Sequence, residues 1–208
     1  MSILLNIGSI STSSLVNGPG NRFVIWVQGC SLRCPGCRNK EFLPQEPGHL
    51  IDIERLGEVI IKIPDIEGVT YSGGEPFDQA EALYHLSIVL KEHGLSIVSY
   101  SGYTYNELRG KNDKYVNLLL SQLDILIDGP YQKDKPTTLL WRGSSNQKVY
   151  FFNNRYAIYN DLVDKETSQI ELSVSEADGY LTGIFSDDLM NKVKKGLQSY
   201  GISLVFSV

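Results

Sequence analysis

Arg22-Phe-Val-Ile-Trp-Val-Gln28 runs directly into Gly29-Cys-Ser-Leu-Arg-Cys-Pro-Gly-Cys-Arg-Asn39, and this junction decides how the rest of the chain is read. The first half is an apolar, β-branched and aromatic run of strand length. The second half holds Cys30, Cys34 and Cys37, the only three cysteines in 208 residues. A strand therefore delivers three thiols, spaced by three and then two residues, onto a Gly- and Pro-containing loop. Soft sulfur ligands at such spacing can converge on one inorganic centre: zinc, cuprous copper or an iron–sulfur cluster. Three is the informative number, because a structural zinc site closes with four ligands, whereas three on a four-iron cube leave one iron open.

Other uses of these cysteines weigh less. The odd count argues against a disulfide framework, and a chain of this length builds its core without staples. A Cys3His zinc site would need His49, which lies in Pro47-Gly48-His49, outside the usual short ligand spacing. Burial as small hydrophobes accounts for one thiol easily, but not for three so close together.

At 42% hydrophobic content and a net charge of −5, the chain reads as a globular protein of one main domain with a small appendage. The opening Met1-Ser-Ile-Leu-Leu-Asn-Ile-Gly8 lacks the basic start, long apolar stretch and cleavage site of a signal peptide, and no segment reads as a membrane span. Reduced thiols without an export signal point to the cytoplasm. An acidic balance gives no general reason to bind nucleic acid, whose phosphates demand basic surface.

Short β-rich runs alternate with helical patterns, the signature of an α/β sheet with parallel strands. After the strand at 22–28, Asp52 is placed to cap a helix over about 52–63, with Leu56, Val59, Ile60 and Ile63 at helical spacing. A strand at 69–72 ends in Gly73-Gly74. Asp78 is read as the cap of a helix reaching His93, with Gly94 as its stop. Strands follow at 95–100 and 124–128 with helical sequence over 104–122 between them, and a further strand at 149–152. The tail reads as β-β-α-β: strands at 169–175 and 179–185, a helix at 187–200 and a last strand at 202–206. No internal repeat or low-complexity linker interrupts the chain. The cysteine loop, Gly73-Gly74-Glu75, Tyr100-Ser101-Gly102 and Asp128-Gly129 all follow strand carboxyl ends, where α/β folds collect their ligand groups.

Four separate motifs then occur in order between residues 17 and 147. They are Asn17-Gly-Pro-Gly-Asn-Arg22, the Cys-x3-Cys-x2-Cys loop, Ser72-Gly-Gly-Glu-Pro-Phe77, and Asp128-Gly-Pro-Tyr-Gln-Lys133 continuing to Trp141-Arg-Gly-Ser-Ser-Asn-Gln147. Together they resemble the radical S-adenosylmethionine (SAM) superfamily, in the branch of anaerobic ribonucleotide reductase activating proteins and related glycyl-radical activases. The chain departs from that pattern at Asn17, a position often acidic in glycyl-radical activases, and in the tail that follows the last motif. Gly36 stands where many radical SAM loops carry an aromatic, as it does in the reductase-activase branch. The resemblance implies a partial (β/α) barrel of the radical SAM type, with residues 1–152 as the core, a cluster loop at 29–39, and a C-terminal extension at 153–208.

The resemblance also assigns roles. Cys30, Cys34 and Cys37 would bind a [4Fe-4S] cluster whose open iron is chelated by SAM. Gly73, Gly74 and Glu75 would receive the amino group of the SAM methionine moiety. The residue types suit this, since glycines at a strand end let carbonyls approach an ammonium and a carboxylate complements its charge. Taken alone, the same residues would read as an ordinary strand-to-helix turn. Ser101 is a further candidate at the next strand end, and Asn39 and Arg22 flank the cluster loop, where they would shape its electrostatics or meet the SAM carboxylate. His85 and His93 read as structural or solvated. The long connection to Trp141 and Arg142 reads either as a packed capping loop or as part of the active-site mouth or partner surface.

The implied activity is reductive cleavage of SAM to methionine and a 5′-deoxyadenosyl radical that abstracts hydrogen from a glycine Cα of a partner. Anaerobic ribonucleotide reductase is the leading partner, and a flavodoxin or ferredoxin the electron donor. Two alternatives stay open at this point: a radical SAM enzyme acting on a small molecule or peptide, and a non-catalytic zinc-binding interaction module.

Overall fold

The computed structural model describes residues 2–174 and 179–200. Seven strands form one sheet: β1 (Leu4–Ser14), β2 (Arg22–Val27), β3 (His49–Asp52), β4 (Gly68–Gly73), β5 (Ser96–Tyr100), β6 (Ile125–Asp128) and β7 (Lys148–Phe151). Their spatial order is β3-β1-β2-β4-β5-β6-β7. The four central strands β2, β4, β5 and β6 run parallel; β1 and β7 flank them antiparallel, and β3 pairs antiparallel with β1 at the outer edge. This is the α/β class read from the sequence. The sheet is open, with β3 and β7 at its edges among the described residues.

Every residue of β2 is buried because a central parallel strand is covered on both faces. The two faces can be followed by the period of two. Phe23, Ile25, Val27, Ile97 and Leu126 point to the face covered by α1 (Ile53–Ile60), α2 (Ala80–Glu92) and α4 (Lys114–Gln122). Val98, Ile125 and Ile127 point to the other face, where Leu140 and Trp141 from the segment between β6 and β7, and Tyr156 and Val163 from the chain after β7, cover them.

Local capping accounts for the helix boundaries. Asp52 accepts from the Glu54 and Arg55 amides and starts α1, as its sequence position predicts. The helical stretch read over 104–122 is two helices. Thr104 and Glu107 form a capping box for α3 (Tyr105–Gly110), and Asp113 caps α4 through the Tyr115 and Val116 amides. Gly110, Asn112 and Asp113 between them favour termination and re-initiation over a continuous helix. The sequence reading assigns no strand to 4–14 or 49–52; both form by pairing at the sheet flank.

In the tail, β8 (Gln169–Val174) and β9 (Gly179–Ile184) make a separate two-stranded antiparallel sheet, followed by α5 (Asp187–Gln198). The strand expected at 202–206 lies outside the described residues. Among the described residues no helix is long and apolar enough to cross a membrane.

Arg22 is not at the cluster. It opens β2 while the cysteines follow the other end of that strand, ~17 Å away at ~3.3 Å per residue. Its guanidinium is fully buried and donates to Val69 O at 2.6 Å, Ser96 O at 3.0 Å, Ser96 Oγ at 2.6 Å and Thr70 Oγ1 at 3.1 Å. Burial lowers its pKa, partly opposed by Tyr156, Glu67 and Asp124. The group thus ties β2, β4 and β5 together at the end of the sheet remote from the cysteines. Removing it would leave several buried acceptors unpaired, so R22M is expected to cost roughly 3 kcal/mol or more in a urea melt. A cost below about 1 kcal/mol would show that these bonds do not hold the sheet.

Candidate metal centre

The buried Cys30 and the partly buried Cys34 and Cys37 line one cavity of about 200 Å3. It lies at the carboxyl ends of the parallel strands, with Ser72, Gly73, Gly74, Tyr100, Ser101 and Gly129 also on its walls. The strand ends singled out in the sequence therefore meet in one place.

The loop that carries the thiols is held by backbone bonds at both ends. Gly29 N–H donates to Phe42 O at 2.9 Å, closing the loop on itself, and Cys37 N–H donates to Cys34 O at 3.1 Å. The loop is then pinned to β4: Gly74 N–H donates to Val27 O at 2.8 Å, and Glu75 N–H to Gly29 O at 2.9 Å. The approach at Gly74 is so close that a Cβ there would stand 2.0 Å from Gly29 O, so no other residue fits without moving the loop. Gly36 has φ +76°, and a Cβ would meet the Lys133 side chain at 2.9 Å. An aromatic before the third cysteine would thus be strained in its backbone as well as crowded.

Asp78 does not cap α2 as the sequence reading has it. A 3-10 turn, Pro76–Gln79, precedes that helix, and Glu75 caps the turn by accepting from Phe77 N–H. Asp78 is instead free to reach the cysteine loop, where its two oxygens accept from Ser31 N–H at 2.8 Å and Ser31 Oγ at 2.9 Å. Tyr103 OH completes this cluster at 2.9 Å from Ser31 Oγ.

Glu75 is 1% exposed and lines the cavity. Oε1 accepts from Phe77 N–H at 3.0 Å and Ser101 Oγ at 2.9 Å, and Oε2 accepts from Gly102 N–H at 2.8 Å. A carboxylate offers about four acceptor positions, so one on Oε2 remains. Burial pushes the carboxyl up to about 7, against the Phe77, Gly102 and Ser101 donors that hold it down. Ser101 meets the cavity with its hydroxyl already committed to Glu75. Asn39 also lines the cavity, its Nδ2 3.5 Å from Gly73 O.

Burial raises the Cys30 and Cys37 thiols above their ordinary pKa. Backbone amides of Arg33 and Leu32 pull Cys30 back down, and that of Asn39 does so for Cys37. Amides aimed at sulfur favour the thiolate and so offset part of the burial penalty on its charge. Among the described residues no three His, Cys, Asp or Glu side chains stand close enough to share a single ion. His49 is exposed on β3, paired with Ile7, and outside this cavity.

The segment after β6 contributes Tyr131, Trp141, Gly143 and Gln147 to the cavity wall. It is also well packed: Trp141 is 3% exposed against Tyr159, Gln147 Oε1 accepts from Gly143 and Ser144, and Arg142 bonds Val163 O and Asp164. Both readings of this loop are therefore met at once. Trp26, Leu32, Val16, Asn17 and Thr182–Ile184 also reach the cavity. A tryptophan entering the cysteine loop is a legible signal; nothing in the sequence ties residue 182 to residue 17.

Three thiols lining one cavity suit an iron–sulfur cube, which three cysteines can hold with one iron left open. Residues 16–150 match the family model described as a 4Fe-4S single cluster domain. The chain is similar to proteins named anaerobic ribonucleoside-triphosphate reductase-activating protein. The one from Salmonella typhi is 34% identical over 145 residues, covering 65% of this chain and 92% of the relative. That of Enterobacteria phage T4 is 31% identical over 152 residues (70% and 94%), and that of Escherichia coli K12 is 32% identical over 145 (65% and 92%). The chain belongs to this activating-protein branch of the single-cluster 4Fe-4S, radical SAM family.

The Glu75 carboxyl binds its proton more tightly folded than unfolded, since its pKa rises from 4.5 to about 7. The cluster-free protein is therefore expected to lose stability as pH rises through that window, by at most roughly 3 kcal/mol. E75Q should flatten the slope in urea melts taken across it. An unchanged slope would show that Glu75 does not titrate there.

Proposed function

We propose that the protein is a radical SAM activase that installs a glycyl radical on an anaerobic ribonucleotide reductase. The observation that carries this is the cavity in which the three cysteines and the Gly73-Gly74-Glu75 strand end stand together. On this reading Cys30, Cys34 and Cys37 hold the [4Fe-4S] cluster. Gly73, Gly74 and Glu75, whose Oε2 keeps a spare acceptor, would receive the ammonium of SAM bound at the open iron. Ser101 and Asn39 lie near enough to assist. The reduced cluster and SAM, when bound, supply methionine and a 5′-deoxyadenosyl radical, which takes hydrogen from a glycine Cα of the partner.

The chain's own residues bind, orient and exclude water. A buried carboxyl poised near 7 is drawn to its ionised form by a cation, so Glu75 selects a positively charged ligand. Asp78 fixes the cysteine loop through Ser31, and Glu75 fixes the next strand end through Ser101 and Gly102. Movement in either loop would shift the reacting groups, and positional errors of this kind are costly to catalysis. We read the open sheet as a partial (β/α) barrel, residues 1–152 as the radical SAM core and 153–208 as a C-terminal extension. A cytoplasmic flavodoxin or ferredoxin is the proposed electron source.

The test is anaerobic reconstitution with iron and sulfide, reduction, addition of SAM, and assay of 5′-deoxyadenosine with and without the reductase. Cleavage with a glycyl signal in electron paramagnetic resonance is expected, and C30A, C34A or C37A should abolish both together with the brown absorption. Cleavage without a glycyl signal would move the substrate to a small molecule or another peptide. A colourless protein that leaves SAM intact would overturn the reading.

A further inference from the structure

The chain departs from the pattern of the resemblance at Asn17 and in its tail, and in the structure these two features touch. The Asn17 amide and the Thr182 hydroxyl bond each other reciprocally, Nδ2 to Oγ1 at 3.1 Å and Oγ1 to Oδ1 at 3.2 Å. Asn17 is itself anchored: it is 7% exposed, its Nδ2 also donates to Ser14 Oγ at 2.9 Å, and its carbonyl accepts from Thr70 Oγ1 at 2.7 Å. An amide donates and accepts at once, which a carboxylate at this position would not do.

Two further contacts hold the β8–β9 hairpin on the same side. Leu15 N–H donates to Glu171 Oε2 at 2.9 Å, and the Arg38 guanidinium, next to Cys37, stands 4.9 Å from the Phe185 ring centroid. A lone two-stranded hairpin is marginal in water, so its position depends on such contacts. Their effect is to bring Thr182, Gly183 and Ile184 into the wall of the cavity that contains the three cysteines. These residues lie beyond the 16–150 match to the family model. Gly183, at φ +121°, lies so close to β8 that a Cβ would stand 2.2 Å from Gln169 O, so the glycine keeps the hairpin paired while its backbone faces the cavity.

We propose that the β8–β9 hairpin, latched by Asn17 and Thr182, is the substrate-side wall of the cavity and positions the glycine-bearing peptide segment of the partner. This rests on the activase reading. The hairpin acts on the partner rather than on the cofactor, and Thr182 and Phe185 are positioning residues that set where its wall stands.

T182V keeps the β-branched shape and removes the hydroxyl, T182S keeps the hydroxyl, and F185A releases the hairpin at the Arg38 end. Binding of the reductase, and of a synthetic peptide spanning its radical-bearing glycine, is measured by calorimetry on the full chain. The KM for reductase and for SAM and the glycyl radical formed per SAM cleaved are measured on the reconstituted enzyme, with melting temperatures as a check on folding. T182V and F185A are expected to weaken reductase binding and raise its KM about tenfold, several times more than for SAM, and to lower the radical yield per cleavage. T182S should restore all three. Equal binding, KM and yield in wild type, T182V and F185A would overturn the proposal. Wild-type protein that cleaves SAM but neither binds the reductase nor radicalises it would remove the activase reading first, and the proposed role of the wall with it.

Discussion

The site depends on one close approach, the α-carbon of Gly74 against the carbonyl of Gly29. With 2.0 Å available to a Cβ, the end of β4 and the start of the cysteine loop lock together only because residue 74 has no side chain. The hydrogen bonds on either side, Gly74 to Val27 and Glu75 to Gly29, then make the loop a continuation of the sheet. A loop free to wander would pay conformational entropy each time it gathered three thiols around one centre. Here the backbone bonds fix the loop so that all three thiols line one cavity.

Two carboxylates, the exposed Asp78 and the buried Glu75, extend that rigidity outward. Asp78 holds the loop at Ser31, and Glu75 holds the neighbouring strand end at Ser101 and Gly102. Both come from the five residues after Gly73, so a single strand end organises its neighbours on both sides. At the other end of the sheet Arg22 binds β4 and β5 to β2. The parallel strands are thus fastened at both ends, and the cavity forms at the carboxyl ends between glycine backbone and the side chains of Trp26, Leu32 and Trp141.

Much of this was legible in the sequence, for physical reasons. Three thiols at fixed spacing after an apolar strand have few alternative explanations, and beside them Gly73-Gly74 at the next strand end reads as more than an ordinary turn. The Asp52 cap and the parallel strands follow from local pattern. What was illegible is what depends on tertiary partners. Asp78 looks like a helix cap because Asp in that position usually is one; a 3-10 turn capped by Glu75 released it for Ser31. Arg22 flanks the cysteines in sequence but lies a strand's length away in space. β1 and β3 arise from pairing rather than from strong local propensity. The contact between Asn17 and Thr182 spans 165 residues and has no local signature at all.

The central claim is that this preformed loop holds a four-iron cube through three thiolates and leaves one iron for SAM. Mössbauer spectroscopy of protein reconstituted with 57Fe, recorded with and without SAM, addresses it directly. The account predicts a [4Fe-4S] spectrum in which one iron alone changes its parameters when SAM is added. Four irons that respond alike, or do not respond, would contradict it.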